Sequence, residues 1–276
     1  MQVTPYVYRH HIDEDVESFG AMHPGGSNIY FVGDPADRMS IVDTGEHYRD
    51  WTIGILDYYR KLSAPPTLCI LITHGHGDHI GGLDRIQEAT GAPVRCHPKL
   101  AARLTKMLGP RVVQPVADGE TISLGGGASV VALFTPGHED DHVCYWMASD
   151  GVMFTGDTVL GSSTGTVRNL GDYMRSLDLL AGYNPARVLP AHGDLVDDGA
   201  SRIRSYIAHR KEREQQILAA LKKGITDVYQ IVDDIYPRDL RRNLREAAAR
   251  NVRTHLAKLV EEGRVAEKAP AYMLKS

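Results

Sequence analysis

The stretch THGHGDHIGG, residues 73–82, decides the fold of this 276-residue chain. It follows the apolar run 68–72, which predicts a buried strand, and it presents His74, His76, Asp78 and His79 where that strand ends. In extended backbone, side chains two positions apart point to the same side, so His74 and His76 can face one point. The glycines between them allow the tight backbone of such a loop. Because imidazole and carboxylate groups bind zinc, iron or manganese, the stretch predicts a metal site at the edge of a sheet.

Three later strand ends repeat this arrangement. An apolar run precedes His138 in LFTPGHEDDH, Asp157 in GVMFTGDT and His192 in VLPAHGD, and a glycine adjoins each of the three. Together with the first cluster they supply five histidines and two aspartates, which is enough for two metal ions. The alternative is a set of hydrogen-bonded surface histidines, and the density of the cluster disfavours it.

The composition is that of a globular protein, with 42% hydrophobic and 24% charged residues. No apolar stretch approaches the roughly 18–20 residues of a membrane span, and the start of the chain lacks the features of a signal peptide. We therefore expect a soluble, cytoplasmic protein without a membrane partner; an organelle matrix is compatible with the same features. Cys69, Cys96 and Cys144 are far apart in sequence, which predicts buried free thiols rather than a disulfide framework.

Charge divides the chain near residue 200. Residues 1–200 carry 14 Lys and Arg against 25 Asp and Glu, a net charge of −11, whereas residues 201–276 carry 17 against 10, a net charge of +7. This division predicts two domains, 1–200 and 201–276, with different partners.

The second domain shows the order of a winged helix-turn-helix, with three helical patterns followed by two short segments. The third helix, predicted over 239–262, presents a row of basic residues: Arg241, Arg242, Arg245, Arg250, Arg253 and Lys258. Such a surface attracts nucleic acid. A solvated helix face, or dimerisation through this domain, is the alternative.

Up to residue 200, short apolar runs alternate with helical patterns, which predicts sheets covered by helices. The motifs here resemble those of the metallo-β-lactamase fold superfamily, HxHxDH followed by a later His, Asp and His. The resemblance implies an α+β fold, the αββα sandwich. It also implies a ligand set: His74, His76 and His138 for one ion, Asp78, His79 and His192 for the second, and Asp157 between them. In the same family an aspartate such as Asp43, in IVDTG, supports the ligand loop.

A closer resemblance extends over nearly the whole chain. The segments GDTVLGSSTGTVRNLGDYMRSL, 156–177, and NVRTHLAKLVEEGRV, 251–265, are similar to the beta-lactamase-like protein 2 group. That group joins the hydrolase domain to a C-terminal winged helix and includes a single-strand-selective endoribonuclease, and related members are thioesterases. Gly75 stands where the family usually has a bulky residue, which predicts a more open pocket.

The resemblance implies a zinc-dependent hydrolase in which two Zn²⁺ ions, or iron or manganese in their place, share a hydroxide. Asp78 is the candidate catalytic residue that orients this nucleophile. His142 is a second catalytic candidate, through a hydrogen bond to the substrate or leaving group, and a structural role is its alternative. Tyr173 is a candidate for substrate binding, and a core aromatic is its alternative.

The expected substrate is single-stranded RNA. A glyoxalase-II-like thioesterase or esterase is the alternative, with β-lactam hydrolysis at most a promiscuous activity. A non-catalytic winged-helix nucleic-acid binder is disfavoured because no ligand is missing. The sequence is compatible with a monomer or a homodimer.

Overall fold

The computed structural model describes residues 1–13, 25–162, 164–237, 242–268 and 271–274. Within them, no helix is both long enough and apolar enough to cross a lipid bilayer. The three cysteines are buried free thiols, as predicted.

In the described part of the chain, the first sheet has six strands in sequence order: β1 (Val7–Ile12), β2 (Ser27–Gly33), β3 (Met39–Val42), β4 (Thr67–Leu71), β5 (Val94–Cys96) and β6 (Val113–Pro115). Strands β1 to β3 pair antiparallel, and β3 to β6 pair parallel. Parallel neighbours need crossover connections, and helices provide them here: α1 (Arg49–Lys61) after β3, α2 (Gly77–Ile80) and α3 (Leu83–Thr90) after β4, and α4 (Pro98–Leu108) after β5. Their apolar residues pack on the outer face of this sheet.

The second sheet follows in the order β11-β10-β9-β8-β7, counted over the described residues. Its strands are β7 (Thr121–Gly125), β8 (Ala128–Phe134), β9 (Val143–Met147), β10 (Val152–Gly156) and β11 (Arg187–Pro190). Strands β7 to β10 form antiparallel pairs, and β11 joins β10 in parallel through helix α5 (Leu170–Tyr183). This helix and the first half of α6 (Gly199–Lys222) cover the outer face of the second sheet.

The two sheets face each other across a shared apolar core. Tyr30 and Leu71 reach it from the first sheet, and Tyr145 and Phe154 reach it from the second. The rings of Tyr30 and Phe154 meet edge to face at 5.3 Å. With helices outside both sheets, this arrangement confirms the predicted α+β fold and its αββα sandwich.

A separate core holds the C-terminal unit together. Helix α6 continues into it, followed by α7 (Val228–Ile235), α8 (Arg242–Glu261) and the hairpin of β12 (Val265–Lys268) and β13 (Ala271–Leu274). Ile203 and Tyr206 of α6 pack with the sandwich, whereas Ile217 and Leu221 pack with α7 and α8. Because one helix contributes to both cores, the boundary at residue 200 remains a prediction.

The C-terminal unit contains the second and third of the three helical patterns predicted for it. The second C-terminal helix starts at Val228, because the Asp227 side chain accepts hydrogen bonds from the backbone N–H groups of Tyr229 and Gln230. The third, predicted over 239–262, is described over Arg242–Glu261, and residues 239–241, including Arg241, lie outside the described residues.

Candidate metal centre

Four strand ends bring the predicted ligand residues to one edge of the sandwich. His74, His76, Asp78 and His79 follow β4, and α2 begins among them. His138 follows β8, Asp157 follows β10, and His192 follows β11. Residues that the chain separates by more than a hundred positions therefore meet in one cluster.

The seven side chains form two donor groups that share Asp157. The first group is His74, His76, His138 and Asp157, and the second is Asp78, His79, Asp157 and His192. Within each group the donor atoms lie within 4.8 Å of one another. This grouping suits a dinuclear metal site, and it contains the residues that the family resemblance implies for the two ions.

Hydrogen bonds on the outer side of three imidazoles turn their Nε2 atoms inward. His138 Nδ1 donates to the carbonyl oxygen of Thr166 at 2.7 Å, and His79 Nδ1 donates to Asp43 Oδ2 at 2.8 Å. The Thr73 hydroxyl donates to the same Asp43 oxygen and lies 3.2 Å from His74 Nδ1. In a neutral imidazole, a proton on Nδ1 leaves the lone pair on Nε2, so all three rings can offer Nε2 to a metal.

Asp43 supports this loop from an unusual backbone conformation. Its φ angle is 60°, in the left-handed region that non-glycine residues rarely adopt. It is buried, and its Oδ1 accepts the backbone N–H of Thr73 at 2.8 Å. The side chain thus holds both the end of β4 and the ring of His79, which is the place that the family resemblance implies for it.

His76 has the opposite orientation. Its Nε2 lies 2.5 Å from Glu139 Oε1, and its Nδ1 lies 3.2 Å from His138 Nε2, inside the first donor group. Arg168 in turn pairs with Glu139 Oε2 at 2.9 Å. A carboxylate that accepts from Nε2 leaves the Nδ1 lone pair for a metal, so Glu139 selects the tautomer of His76.

Charge in the centre fits a divalent cation. Burial opposes protonation of His79, but the carboxylates of Asp78, Asp43 and Asp157 raise its pKa well above the usual value. Burial likewise opposes protonation of His192, yet Asp157 and Asp78 raise its pKa to about 9. The carboxylates therefore create a negative potential that stabilises positive charge at this buried position.

Buried atoms without a hydrogen bond point to the same conclusion. His74 Nε2, His79 Nε2 and Asp157 Oδ1 are buried and make no hydrogen bond within the described residues. Buried polar atoms are nearly always satisfied, so three such atoms in one cluster indicate a ligand that binds them. The donor set of imidazole and carboxylate suits a first-row transition metal and leaves its identity open.

His142 lies behind the centre rather than at its mouth. The side chain is fully buried, and burial lowers its pKa well below the usual value. Its Nε2 accepts the backbone N–H of Asp157 at 3.2 Å, and its Nδ1 lies 2.9 Å from the Thr135 hydroxyl. In this position it holds the peptide of Asp157 and a substrate does not reach it, which corresponds to the structural alternative.

Tyr173 is likewise a core residue. Its side chain is fully buried on α5, and its hydroxyl donates to the carbonyl oxygen of Thr158 at 2.6 Å. The ring packs beneath the guanidinium of Arg210, 5.6 Å from its centroid. The hydroxyl is already engaged inside the protein, which corresponds to the core-aromatic alternative.

Gly75 does not open the pocket. A Cβ atom at this position would lie 2.8 Å from Asp141 Oδ2 and 2.9 Å from Leu100 Cδ1. Arg103 also donates to the carbonyl oxygen of Gly75 at 2.6 Å. The space that a bulky residue fills elsewhere in the family is thus taken by neighbouring side chains of α4 and of the loop after β8.

Apart from Asp43, the residues that orient the ligands were not predicted from the sequence. Glu139 and Arg168 hold His76, Thr73 contacts His74, and the Ser27 hydroxyl lies 3.1 Å from His192 Nδ1. The only local signal is that Glu139 directly follows His138 and that Thr73 directly precedes His74. Ser27 and Arg168 are not adjacent in sequence to any ligand residue, so no sequence pattern marks them; only the tertiary structure brings them to the centre.

Replacing Glu139 by glutamine should weaken metal binding. Loss of the carboxylate removes the acceptor that orients His76, and such partners typically contribute about 10–100-fold in metal affinity or activity. Competition with a chromogenic chelator measures the change. Asp140→Asn is the matched control, because Asp140 is exposed and pairs only loosely with Lys99, at 3.6 Å. Equal affinities of the two variants would contradict the role of Glu139.

Two family models match the chain. The metallo-beta-lactamase superfamily model matches residues 22–192, and the beta-lactamase associated winged helix domain model matches residues 228–270. Solved structures agree on the fold: a beta-lactamase domain protein from Burkholderia ambifaria superposes with a TM-score of 0.81 at 20% identity, over 100% of this chain and 93% of that one. A metallo-beta-lactamase family protein from Thermus thermophilus gives a TM-score of 0.73 at 24% identity, over 99% of both chains.

Curated relatives are similar over most of the chain. An atrochrysone carboxyl ACP thioesterase from Cryptosporiopsis sp. (strain 8999) is 34% identical over 260 residues, 87% of this chain and 76% of the relative. The beta-lactamase-like protein 2 homolog of Drosophila melanogaster is 32% identical over 253 residues, 89% and 86% of the two chains. The lactamase-like protein nscB of Aspergillus fumigatus is 37% identical over 204 residues, 74% of this chain and 59% of nscB. The chain therefore spans about three-fifths of the length of that relative.

Proposed function

The chain belongs to the metallo-beta-lactamase superfamily, and from this premise we propose that it hydrolyses thioesters with two metal ions. The observation that carries the proposal is the pair of donor groups that share Asp157. A residue common to both groups keeps two ions close together, as a two-metal hydrolase requires.

The ligand assignment is part of this proposal. His74, His76 and His138 would hold one ion, Asp78, His79 and His192 would hold the other, and Asp157 would be available to both. Zinc is the metal we expect, because histidine and aspartate with an open position are typical of catalytic zinc sites. When bound, two such ions lower the pKa of a water molecule and polarise the carbonyl group of the substrate.

The residues on the open side of the centre handle the substrate. Asp78 and Asp157 are each 8% exposed, and His76 is partly exposed, whereas His74 and His142 are fully buried. Burial favours the neutral form of Asp78, but the His79 and His192 rings hold its pKa well below the usual value. Asp78 therefore stays an anion that can orient an attacking water, and it is the catalytic residue of the proposal.

The relatives favour a thioester over RNA. The chain aligns over 87% of its length with a protein named as a carboxyl ACP thioesterase. A second relative with this name, from Aspergillus novofumigatus, is 36% identical over 202 residues. The donor groups alone do not favour one substrate over the other, because hydrolysis of a thioester and of a phosphodiester both need an activated water and a stabilised anion.

The paired charges of the C-terminal unit also favour the thioester. Arg245 forms an ion pair with Asp233, and Lys258 and Arg264 both pair with Glu214. Cations that are neutralised within the protein release fewer counterions from a nucleic acid, and so contribute less affinity for phosphate. The affinity of this basic surface for nucleic acid is therefore expected to be lower than the net charge of the unit suggests.

Single-stranded RNA is the second candidate. The net charge of +7 in residues 201–276 and the match to a winged helix domain support it. Arg250 and Arg253 are exposed on α8 and are the described cations best placed for it. Arg241 lies outside the described residues, and of Arg242 only the backbone is described.

One set of assays separates the candidates. The zinc-loaded protein is offered an acyl thioester, labelled single-stranded RNA and a chromogenic lactam, with and without a chelator. We expect thioester hydrolysis that the chelator abolishes and that fresh metal restores. Asp78→Asn should lose the activity, and the exposed Asp140→Asn should keep it. RNA cleavage without thioester hydrolysis would reject the proposal, and activity that survives the chelator would reject the metal.

A further inference from the structure

Arg210 is a buried cation without an anionic partner in the described structure. It lies on α6 with 5% of its surface exposed, and no carboxylate of the described residues pairs with it. Its Nη1 donates to Asn251 Oδ1 at 3.3 Å and its Nη2 to the carbonyl oxygen of Gly165 at 3.4 Å, both long contacts. Its Nε is buried and makes no hydrogen bond within the described residues. Buried charges are normally paired with an opposite charge. No described residue supplies an anion to this guanidinium, so it is suited to pair with an anionic ligand.

A cavity of about 210 Å³ adjoins this guanidinium. We call it the Arg210 pocket; it lies between the loop 164–167 and helix α8, and its polar lining is Thr164, Thr166, Arg210, Arg250, Asn251 and Thr254. None of the described residues that line it is acidic. Two guanidinium groups, hydroxyls and an amide around one space form a donor set suited to an oxyanion.

The loop on one wall of the Arg210 pocket also touches the metal centre. The carbonyl oxygen of Thr166 accepts the Nδ1 proton of His138, while that of Gly165 accepts from Arg210. Gly165 lies against the carbonyl oxygen of Asp157: a Cβ atom there would come within 2.7 Å of it. One short segment of backbone thus separates the pocket from the predicted ligands.

We propose that the Arg210 pocket binds a phosphate group of the substrate, so that the thioesters hydrolysed are those whose thiol arm carries a phosphate. The inference rests on the proposed function. Phosphate fits better than carboxylate, because a tetrahedral anion can accept from several donors at once whereas a carboxylate offers two oxygens.

The test compares two thioesters with the same acyl group, one on a phosphopantetheine arm and one on phosphate-free N-acetylcysteamine. For Arg250→Gln, loss of one charge-assisted contact should raise KM for the phosphate-bearing thioester about tenfold, with kcat unchanged. KM for the phosphate-free thioester should not change. Arg253→Gln is the matched control, because Arg253 is exposed on the same helix, stacks over Tyr229 and does not line the pocket.

A binding measurement tests the phosphate site independently of thioester hydrolysis. Calorimetric titration of the full-length protein with inorganic phosphate should show saturable binding that Arg250→Gln weakens about tenfold and Arg253→Gln leaves unchanged. If neither thioester is hydrolysed but this binding is seen, the proposed function fails and the phosphate site stands. The inference would be overturned if wild type and Arg250→Gln had equal KM values for the phosphate-bearing thioester. Equal affinities of the two proteins for inorganic phosphate would also overturn it. Arg210→Met is a second variant, and if it is folded it should lose phosphate binding altogether.

Discussion

Asp157→Asn is expected to abolish hydrolysis by the metal-loaded protein. The carboxylate belongs to both donor groups, and its oxygens lie 3.5 Å from His138 Nε2 and 3.3 Å from His192 Nε2. An amide is neutral and offers one oxygen to a metal, so the two ions can no longer share this ligand. If the pair of ions supplies several kcal/mol of transition-state stabilisation, losing about 4 kcal/mol lowers kcat/KM roughly 10³-fold.

Metal content and kinetics together check this prediction. Metal analysis should find less than two ions per chain in Asp157→Asn, while circular dichroism matches the wild type. Asp172→Asn is the control, because Asp172 lies on α5 and pairs with Arg175 instead of the centre. Full activity with a single ion would show that the shared carboxylate is dispensable.

Adding zinc to metal-depleted protein should raise its thermal stability strongly. Asp43, Asp78 and Asp157 are buried carboxylates near one point, and a divalent ion compensates their mutual repulsion better than imidazolium protons do. An ion that binds only the native state adds about 4.1 kcal/mol at a free concentration 1,000-fold above its Kd. For a chain of this size that corresponds to about 7 °C in Tm.

Differential scanning calorimetry across a zinc titration measures the shift. Magnesium is the control metal: it prefers oxygen ligands in octahedral geometry, so it should give little change. Asp157→Asn should also lose most of the zinc effect. A Tm that is the same with and without zinc would mean that the cluster does not bind it tightly.

The strands near the centre could be predicted from the sequence because their apolar runs are long and end at glycines. The apolar runs before His74, His138, Asp157 and His192 predict strands in this way, and β4, β8, β10 and β11 lie there. Strand β1, VYRHHI, was not predicted because polar residues interrupt its apolar pattern. Strand β6 and helix α2 are too short for a hydrophobic periodicity to be recognised in the sequence. Such elements form because the neighbouring strand or loop offers hydrogen-bond partners, and that depends on the fold.

The sequence by itself determined which side chains end the strands, that they are imidazoles and carboxylates, and that their motifs resemble those of the metallo-β-lactamase fold superfamily. Only the tertiary structure decided what surrounds them. It placed His142 behind Asp157, buried Tyr173, set Glu139 against His76 and left Arg210 beside a cavity that no acidic residue of the described chain lines. The physical reason is that the type of ligand residue at each strand end can be recognised from the local sequence. Burial and hydrogen-bond partners depend on contacts between residues far apart in the chain, and a local sequence pattern does not predict them.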